Sequence, residues 1–205
     1  MNMPTNPQTS RLASLRQKVK DMYEAKDSNR GDWADWLYEH HVFVVADRAK
    51  ELAERFGADA ELAQAAAMLH DVADTKMSRF EPNHEEASLQ IARESLEAAG
   101  YTAEEIQLVV DDAIKLHRCR DGRLPQSKVG LVMATADALA HLTTDFYIRA
   151  TQMHGHEGKS MEEIKSWVLT KSKRDFTEKI RFDEVREEAR PSYEMIKTLY
   201  SRSSH

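Results

Sequence analysis

Leu69-His70-Asp71-Val72-Ala73 ends a run of small and apolar residues that begins at Leu62. Apart from Gln64, residues 62–69 are only Ala, Leu and Met, and a segment that is apolar on all sides is typical of a helix enclosed in the core. A buried carboxylate costs several kcal/mol unless a partner compensates its charge. No Lys or Arg occurs in residues 58–73, so a bound metal cation is one natural partner for Asp71.

The length and composition of the chain indicate a single all-α domain. Its 205 residues include 7 Gly and 5 Pro, and the abundance of Ala, Leu, Glu, Lys and Arg favours helices. A chain of this length suffices for one domain with a substantial core. We predict one helical bundle of about seven or eight helices over residues 11–205, preceded by a disordered N-terminal tail at residues 1–10.

The charge and cysteine content limit the classes of function. The formal net charge of -6 supplies no overall positive field, which argues against nucleic-acid binding as the main role. The single cysteine, Cys119, excludes an internal disulfide and fits a reducing compartment. The N-terminus has no signal-peptide core, and no apolar run approaches the ~20 residues that span a membrane. We therefore expect a cytoplasmic protein without a membrane partner.

Periodicity and capping residues predict the positions of the helices. Gly57 and Gly100 are expected to end two of them in the left-handed conformation, and Pro191 is expected to kink or restart the last one. N-terminal capping patterns begin at Asn83, Thr102 and Ser160. The predicted helices cover residues 12–26, 32–56, 59–72, 83–99, 102–117, 127–151, 160–176 and 178–200. The residues with predicted chemistry fall within 36–142, and C-terminal helices occupy residues 160–202.

Four polar residues share an apolar setting on or at the end of predicted helices, namely His41, His70, Asp71 and Asp137. No Lys or Arg lies between residues 128 and 149, so nothing near Asp137 on its own helix neutralises it. Two imidazoles and two carboxylates form a mixed nitrogen and oxygen set that suits a divalent metal ion. Neighbours such as His70 and Asp71 point about 100° apart on a regular helix, so they can share an ion only if the last turn opens.

This set of residues resembles the HD superfamily of metal-dependent phosphohydrolases. The family pattern is a His, then a His-Asp pair, then a distant Asp, all on helices of one bundle. Here the matching residues are His41, His70-Asp71 and Asp137, and their apolar surroundings at residues 41–46, 66–72 and 136–139 also match. The resemblance implies that these four residues hold a metal ion.

Some members of the family bind a second metal through further histidines, and His84 and His117 are placed like those residues. Asp71 would then bridge two ions. The cofactor is therefore one or two divalent ions, with Mn²⁺, Fe²⁺, Mg²⁺, Co²⁺, Ni²⁺ and Zn²⁺ all compatible with His and Asp ligands. The sequence departs from the family pattern three residues after Asp71, where many relatives carry a Lys near the phosphate and this chain has Asp74.

The resemblance implies hydrolysis of a phosphate ester or anhydride, of a nucleotide-like compound, by a metal-activated water. Asp71 is the expected catalytic residue, and Arg118 and Lys76 are candidate substrate-binding residues in the flanking loops. The expected partner is a small phosphorylated metabolite or nucleotide. The oligomeric state is left open, with a homodimer as one arrangement.

Two other functions remain open at this point. A few HD-like bundles use a six-ligand site for oxygen chemistry, so a diiron oxygenase is one alternative. The other is a non-catalytic module that senses a nucleotide without turnover.

The remaining histidines and the basic residues of the C-terminal half are predicted outside the site. His154 and His156 are expected to be solvated, and His40 and His141 to lie at the surface or behind the ligands. Interleaved acids indicate that the basic cluster forms a solvated helix face. This basic cluster comprises Lys171, Lys173, Arg174, Lys179 and Arg181.

Overall fold

The computed structural model describes the backbone of residues 7–201 and the side chains of residues 11–201. These residues form α-helices and short 3-10 or π-helical turns without a β-strand, which confirms the all-α prediction. The helices are α1 (Pro7–Glu24), α2 (Ala34–His40), α3 (Val42–Phe56), α4 (Ala60–Leu69), α5 (His84–Ala99), α6 (Ala103–Gln107), α7 (Lys128–Thr143), α8 (Phe146–His156), α9 (Met161–Arg174) and α10 (Asp183–Ser201).

The N-terminal boundary differs from the prediction. Residues 1–6 of the predicted tail lie outside the described residues, but α1 already begins at Pro7, so residues 7–10 are helical and not a tail. A proline suits the first position of a helix because its φ is fixed near the helical value.

The Ala-rich helix α4 is enclosed, as the sequence predicted. It packs against α3, α7 and α1, and its residues from Leu62 to Leu69 are buried. Asp59 begins the helix by accepting hydrogen bonds from the backbone N–H groups of Glu61 and Leu62. The small alanine side chains allow α3 and α7 to approach α4 closely, so that polar residues from the three helices can meet.

Two predicted long helices are each divided. The helix predicted over residues 32–56 breaks at His41, whose φ of -131° and ψ of -62° separate α2 from α3. The helix predicted over residues 127–151 breaks after Thr143, where the Thr144 hydroxyl donates to the carbonyl of Ala140. Such side-chain bonds compete with the helical pattern, and the divisions explain why there are more helical segments than predicted.

Most predicted helix ends are confirmed. Gly57 and Gly100 have positive φ at the ends of α3 and α5, and Thr102 and Ser160 form complete capping boxes. The helix start predicted at Asn83 is also confirmed, since Asn83 directly precedes α5, although its side chain makes no capping hydrogen bond.

The C-terminal part of the fold contains an unexpected turn. Residues Asp175–Lys179 form a π-helical turn that packs against α7, and such turns often occur at functional sites. The last helix starts at Asp183 and continues through Pro191, where a kink or restart was predicted. No helix among residues 7–201 is both long enough and apolar enough to cross a membrane.

Candidate metal centre

Three segments bring an imidazole or a carboxylate to one point in the core. His41 lies at the break between α2 and α3, His70 follows α4, and Asp137 lies in the middle of α7. The Oδ1 atom of Asp137 lies 3.2 Å from His41 Nε2 and 3.6 Å from His70 Nε2. The two Nε2 atoms are 3.3 Å apart. All three side chains are almost completely buried.

The two oxygens of Asp137 have different surroundings. Oδ2 accepts a hydrogen bond from Lys179 Nζ, whereas Oδ1 is buried and accepts none. Two ligand atoms that each lie about 2.1 Å from one ion in a tetrahedral or octahedral arrangement are about 3.0–3.4 Å apart. The 3.2 Å spacing from Oδ1 to His41 Nε2 and the 3.3 Å spacing between the two Nε2 atoms lie in this range, and the 3.6 Å spacing from Oδ1 to His70 Nε2 is slightly longer. The three atoms are therefore close to the arrangement that a shared divalent ion requires.

The backbone fixes which nitrogen of two histidines faces the centre. His70 Nδ1 donates to the carbonyl of Ala67 at 2.7 Å, and His117 Nδ1 donates to that of Ile114 at 2.5 Å. A neutral imidazole that donates from Nδ1 keeps a lone pair on Nε2, the form in which it can bind a metal.

Burial also keeps imidazoles of the centre in the neutral form. Burial lowers the pKa of His41. Burial, together with the positive charge of Lys179, lowers the pKa of His117 well below its usual range. Since only a neutral imidazole can be a metal ligand, both residues are available as ligands at neutral pH.

Asp71 lies beside His70 because the helix ends before them. The last residue of α4 is Leu69 and a 3-10 turn begins at Val72. The α-helix therefore ends before His70 and Asp71, which is the condition under which these two neighbours can bind the same ion. Asp71 Oδ2 lies 3.6 Å from His70 Nε2. Burial opposes ionisation of Asp71, but its electrostatic interactions with His70 and then Arg79 outweigh this effect and hold the carboxyl pKa well below its usual range.

Three overlapping groups of potential ligands exist among the described residues. Each group has three ligand atoms that lie within 4.8 Å of one another. The groups are His41, His70 and Asp71; His41, Asp137 and His141; and His70, His117 and Asp137. Five of the six predicted metal ligands thus lie in one cluster, and His141 joins them.

His84 is the predicted ligand that these groups do not include. Its Nε2 lies 3.1 Å from Asp74 Oδ2, and Arg79 donates to both oxygens of Asp74 and to Asp71. The side-chain positions give no support to a second ion held by His84. They also show that Arg79 brings a positive charge beside Asp71, although the sequence places Asp74 where many relatives have Lys.

His141 was not predicted as part of the centre. It lies one helical turn after Asp137 on α7, with its Nε2 3.2 Å from Asp137 Oδ1. Its Nδ1 lies 3.1 Å from Asp175 Oδ2. The i,i+4 spacing from Asp137 was the sequence signal that could have identified it.

The predicted solvated face of the basic cluster is wrong for two lysines. Lys179 is 2% exposed, and Lys171 donates to both oxygens of the buried Asp175. Tyr147 also donates to Asp175 Oδ2, at 2.7 Å. Burial lowers the pKa of Lys171 to about 8. The neighbouring Lys173 and Arg181 are exposed as predicted.

A cavity of about 340 Å³ opens at the centre, with Asp71 and Asp137 on its wall. Arg118 lines the cavity as predicted for a substrate-binding residue, but Lys76 does not and instead pairs with Asp27 at 3.1 Å. His154 also lines the cavity and is 5% exposed, so its predicted solvated position is wrong. The remaining basic and aromatic lining residues include Arg79, Arg120, Lys171, Arg174, Lys179, Trp33, Phe80, Phe146 and Trp167.

The comparison with family models gives a match that contains the whole ligand cluster. The model of the HD domain matches residues 38–142, just over half of the chain. The chain belongs to the HD domain family. HD-domain proteins are generally metal-dependent hydrolases of the phosphohydrolase superfamily, and the His and Asp groups of this member can hold a metal ion.

A solved structure shares the fold beyond the matched segment. The crystal structure of selenomethionine YpgQ from Bacillus subtilis is similar with a TM-score of 0.68, at 22% sequence identity, over 95% of this chain and 92% of that chain. This likeness concerns the fold alone and extends to the helices after residue 142. The comparison with curated protein sequences gives no match.

Proposed function

We propose that this HD-domain protein hydrolyses a phosphate ester or anhydride bond of a small, nucleotide-like metabolite. The observation that carries the proposal is Asp137 Oδ1, a buried oxygen without a hydrogen bond that faces three imidazole Nε2 atoms. His41, His70, Asp71 and Asp137 would hold a divalent ion there. Such an ion supplies an activated water and neutralises charge that develops on phosphoryl oxygens.

The charge of the cavity supports a substrate with several negative charges. Its wall carries Arg118, Arg120, Lys171 and Arg174 around the two carboxylates of the centre. One guanidinium group can donate two parallel hydrogen bonds to two oxygens of a phosphate. Hydrogen bonds between charged groups of this kind are about twice as strong as those between neutral groups. These side chains would orient the phosphates so that the bond to be cleaved lies beside Asp71.

The aromatic residues of the cavity support a flat group attached to the phosphates. Trp33, Phe80 and Trp167 line the cavity beside the basic residues, and aromatic rings of this kind stack on nucleobases. A nucleotide combines the two chemical features that the wall offers.

Asp71 would orient the attacking water. Its carboxyl stays ionised at neutral pH because of the neighbouring positive charges, so it can accept a hydrogen bond from the water throughout the reaction. Arg79, which donates to Asp71 Oδ2 at 3.2 Å, fixes the direction of this carboxylate.

The position of His84 favours hydrolysis with one ion over a diiron oxygenase. An oxygenase would use His84 as a ligand of a second iron, but here its Nε2 lies against Asp74. The chemistry expected from this arrangement needs only the centre at His41, His70, Asp71 and Asp137.

A screen of phosphorylated metabolites with several divalent metals tests the proposal, with metal content measured on the same samples. The wild type should bind about one ion and release phosphate or pyrophosphate, and Asp71→Ala should abolish release. Asp111→Asn, on a surface carboxylate that pairs with Arg93, is the matched control and should retain both properties.

Other outcomes of the screen would contradict hydrolysis. Tight nucleotide binding by the metal-loaded wild type without product over hours would identify a sensing module. Oxygen consumption by the iron-loaded protein on organic phosphonates or polyols would identify an oxygenase.

A further inference from the structure

We propose that His141 is an additional ligand of the ion at Asp137 and that Asp175 is the positioning residue that holds it. The inference rests on the proposed function only in that the ion is the same one. Neither residue belongs to the pattern of one His, a His-Asp pair and a distant Asp, and Asp175 lies outside the segment that matches the family model.

Two imidazole nitrogens lie equally close to Asp137 Oδ1. His141 Nε2 and His41 Nε2 lie at the same distance of 3.2 Å from this oxygen. The two imidazole rings are stacked, with centroids 5.2 Å apart and planes 4° apart. Neither ring donates a hydrogen bond of good geometry to Oδ1, so both nitrogens face a common space beside the oxygen.

The other ring nitrogen of His141 faces a buried carboxylate. His141 Nδ1 lies 3.1 Å from Asp175 Oδ2, and this carboxylate is completely buried. Metal-binding histidines usually donate their second N–H to a carboxylate or carbonyl, which orients the ring and leaves the ligating nitrogen free. The pair of His141 and Asp175 has this arrangement, as His70 and His117 have it with backbone carbonyls.

Asp175 is itself fixed by two other hydrogen-bond donors. Lys171 donates to both of its oxygens, at 3.3 and 3.1 Å, and Tyr147 donates to Oδ2 at 2.7 Å. A carboxylate with two other donors stays ionised and fixed, so it accepts the N–H of His141 in preference to moving toward solvent. Lys171 Nζ also lies 3.1 Å from His141 Nδ1. When Lys171 donates to the two oxygens of Asp175 instead, Nδ1 keeps its own proton and donates it to Asp175.

The π-helical turn explains how Asp175 reaches this position. The turn at Asp175–Lys179 places Asp175 against His141 and Lys179 against Asp137. One turn of the C-terminal half thus supports two successive side chains on the same face of α7.

Binding of Co²⁺ to the purified full chain tests the inference without an activity assay. The dissociation constant, measured by competition with a chelator, and the visible absorption of bound Co²⁺ both report on the ligand set. His141→Phe keeps a ring against Phe146, which lies 4.0 Å away, and removes both nitrogens. We expect it to weaken Co²⁺ binding at least tenfold and to change the absorption bands.

Asp175→Asn leaves the imidazole in place and tests the positioning role. We expect it to weaken Co²⁺ binding about tenfold, in the range usual for residues that orient a ligand. His154→Gln is the matched control, because His154 is a buried histidine on the same cavity that belongs to none of the ligand groups. It should bind Co²⁺ as the wild type does.

The outcomes separate the two proposals. Unchanged affinity and absorption in His141→Phe would overturn the inference about His141, and unchanged values in Asp175→Asn would overturn the positioning role. If His141→Phe does not fold, the Asp175→Asn result alone decides. A wild type that binds no divalent ion would instead refute the proposed function.

Discussion

Lys179 places its ammonium group against one oxygen of Asp137, from a turn 42 residues further along the chain. Both side chains are buried, at 2% exposure each. Burial disfavours the ionised form of Asp137, but its electrostatic interactions with His141 and Lys179 outweigh this effect and hold the carboxyl pKa well below its usual range. Lys179 thus neutralises charge at Asp137 Oδ2, and Oδ1 stays available to bind an ion.

Removal of this ammonium should destabilise the metal-free protein strongly. Breaking a buried ion pair by deletion of one partner costs about 3–5 kcal/mol, so Lys179→Met should lower the free energy of unfolding by this amount. A saturating divalent metal should restore part of the loss, because the ion supplies charge at the other oxygen. Urea denaturation with and without Mn²⁺ measures both effects.

Lys173→Met is the control, since Lys173 is exposed on α9 and its replacement should change stability by less than about 0.5 kcal/mol. A metal-free Lys179→Met protein as stable as the wild type would show that Asp137 does not depend on this partner.

The metal-free protein should also lose stability in mild acid. Burial lowers the pKa of His141 to about 3, compared with about 6.5 in an unfolded chain. Between these values the unfolded state binds more protons than the folded state, so stability falls as the pH falls. One such group contributes a slope of up to about 1.4 kcal/mol per pH unit, and the lowered pKa values of His41 and His117 act in the same direction.

Urea midpoints of the metal-free protein at several pH values from 7.5 to 4.5 measure this slope. His141→Phe should have a shallower slope than the wild type whatever its absolute stability. If the urea midpoints of the two proteins change with pH to the same extent, His141 is not a neutral, buried group in the metal-free protein.

Arg118 should contribute to binding of the phosphate group. It lines the cavity, and its contact with Glu85 is long, at 3.4 Å. A hydrogen bond to a charged group is worth about 1.5–3 kcal/mol, so Arg118→Gln should raise the KM of the best substrate and the inhibition constant of inorganic phosphate about tenfold or more. The control is Arg190→Gln, because Arg190 forms an exposed ion pair with Glu187, and this variant should change neither value. If the two variants have the same KM and inhibition constant, Arg118 does not bind the phosphate.

The ligand cluster was largely predictable because its signal is local. Asp137 lies within an apolar helix, and the His70-Asp71 pair lies at the end of an alanine-rich helix. Burial of such polar groups costs free energy unless a hydrogen-bond partner or an opposite charge compensates it. The sequence therefore predicts His41, His70 and Asp137 before any contact is known, and the structure brings their ligand atoms together.

The supporting residues were not predictable in the same way. Lys171, Asp175 and Lys179 belong to a sequence of alternating charges that is typical of an exposed helix. Packing of the π-helical turn Asp175–Lys179 against α7 buries Asp175 and Lys179, and nothing in the local sequence indicates that packing. The break at His41 has no glycine or proline beside it, so nothing local indicates that α2 and α3 are separate helices. The contact of Arg79 with Asp74 likewise depends on the path of a loop.

At Gly130, α7 packs closely against the π-helical segment Leu108–Ile114 and the loop that follows it. A Cβ atom at this position would lie 2.5 Å from Pro125 Cβ and 2.8 Å from Asp112 Oδ2, and Asp112 accepts hydrogen bonds from the residues that begin α7. Since neither neighbour can move without disturbing this start, Gly130→Ala should lower the free energy of unfolding by about 1–3 kcal/mol. Gly155→Ala is the matched control, because an added Cβ on α8 meets nothing within 4 Å and alanine favours the helix by about 0.5–1 kcal/mol. Thermal and urea denaturation of the two variants should therefore move in opposite directions, and a Gly130→Ala protein at least as stable as the wild type would show that α7 can shift away from Pro125.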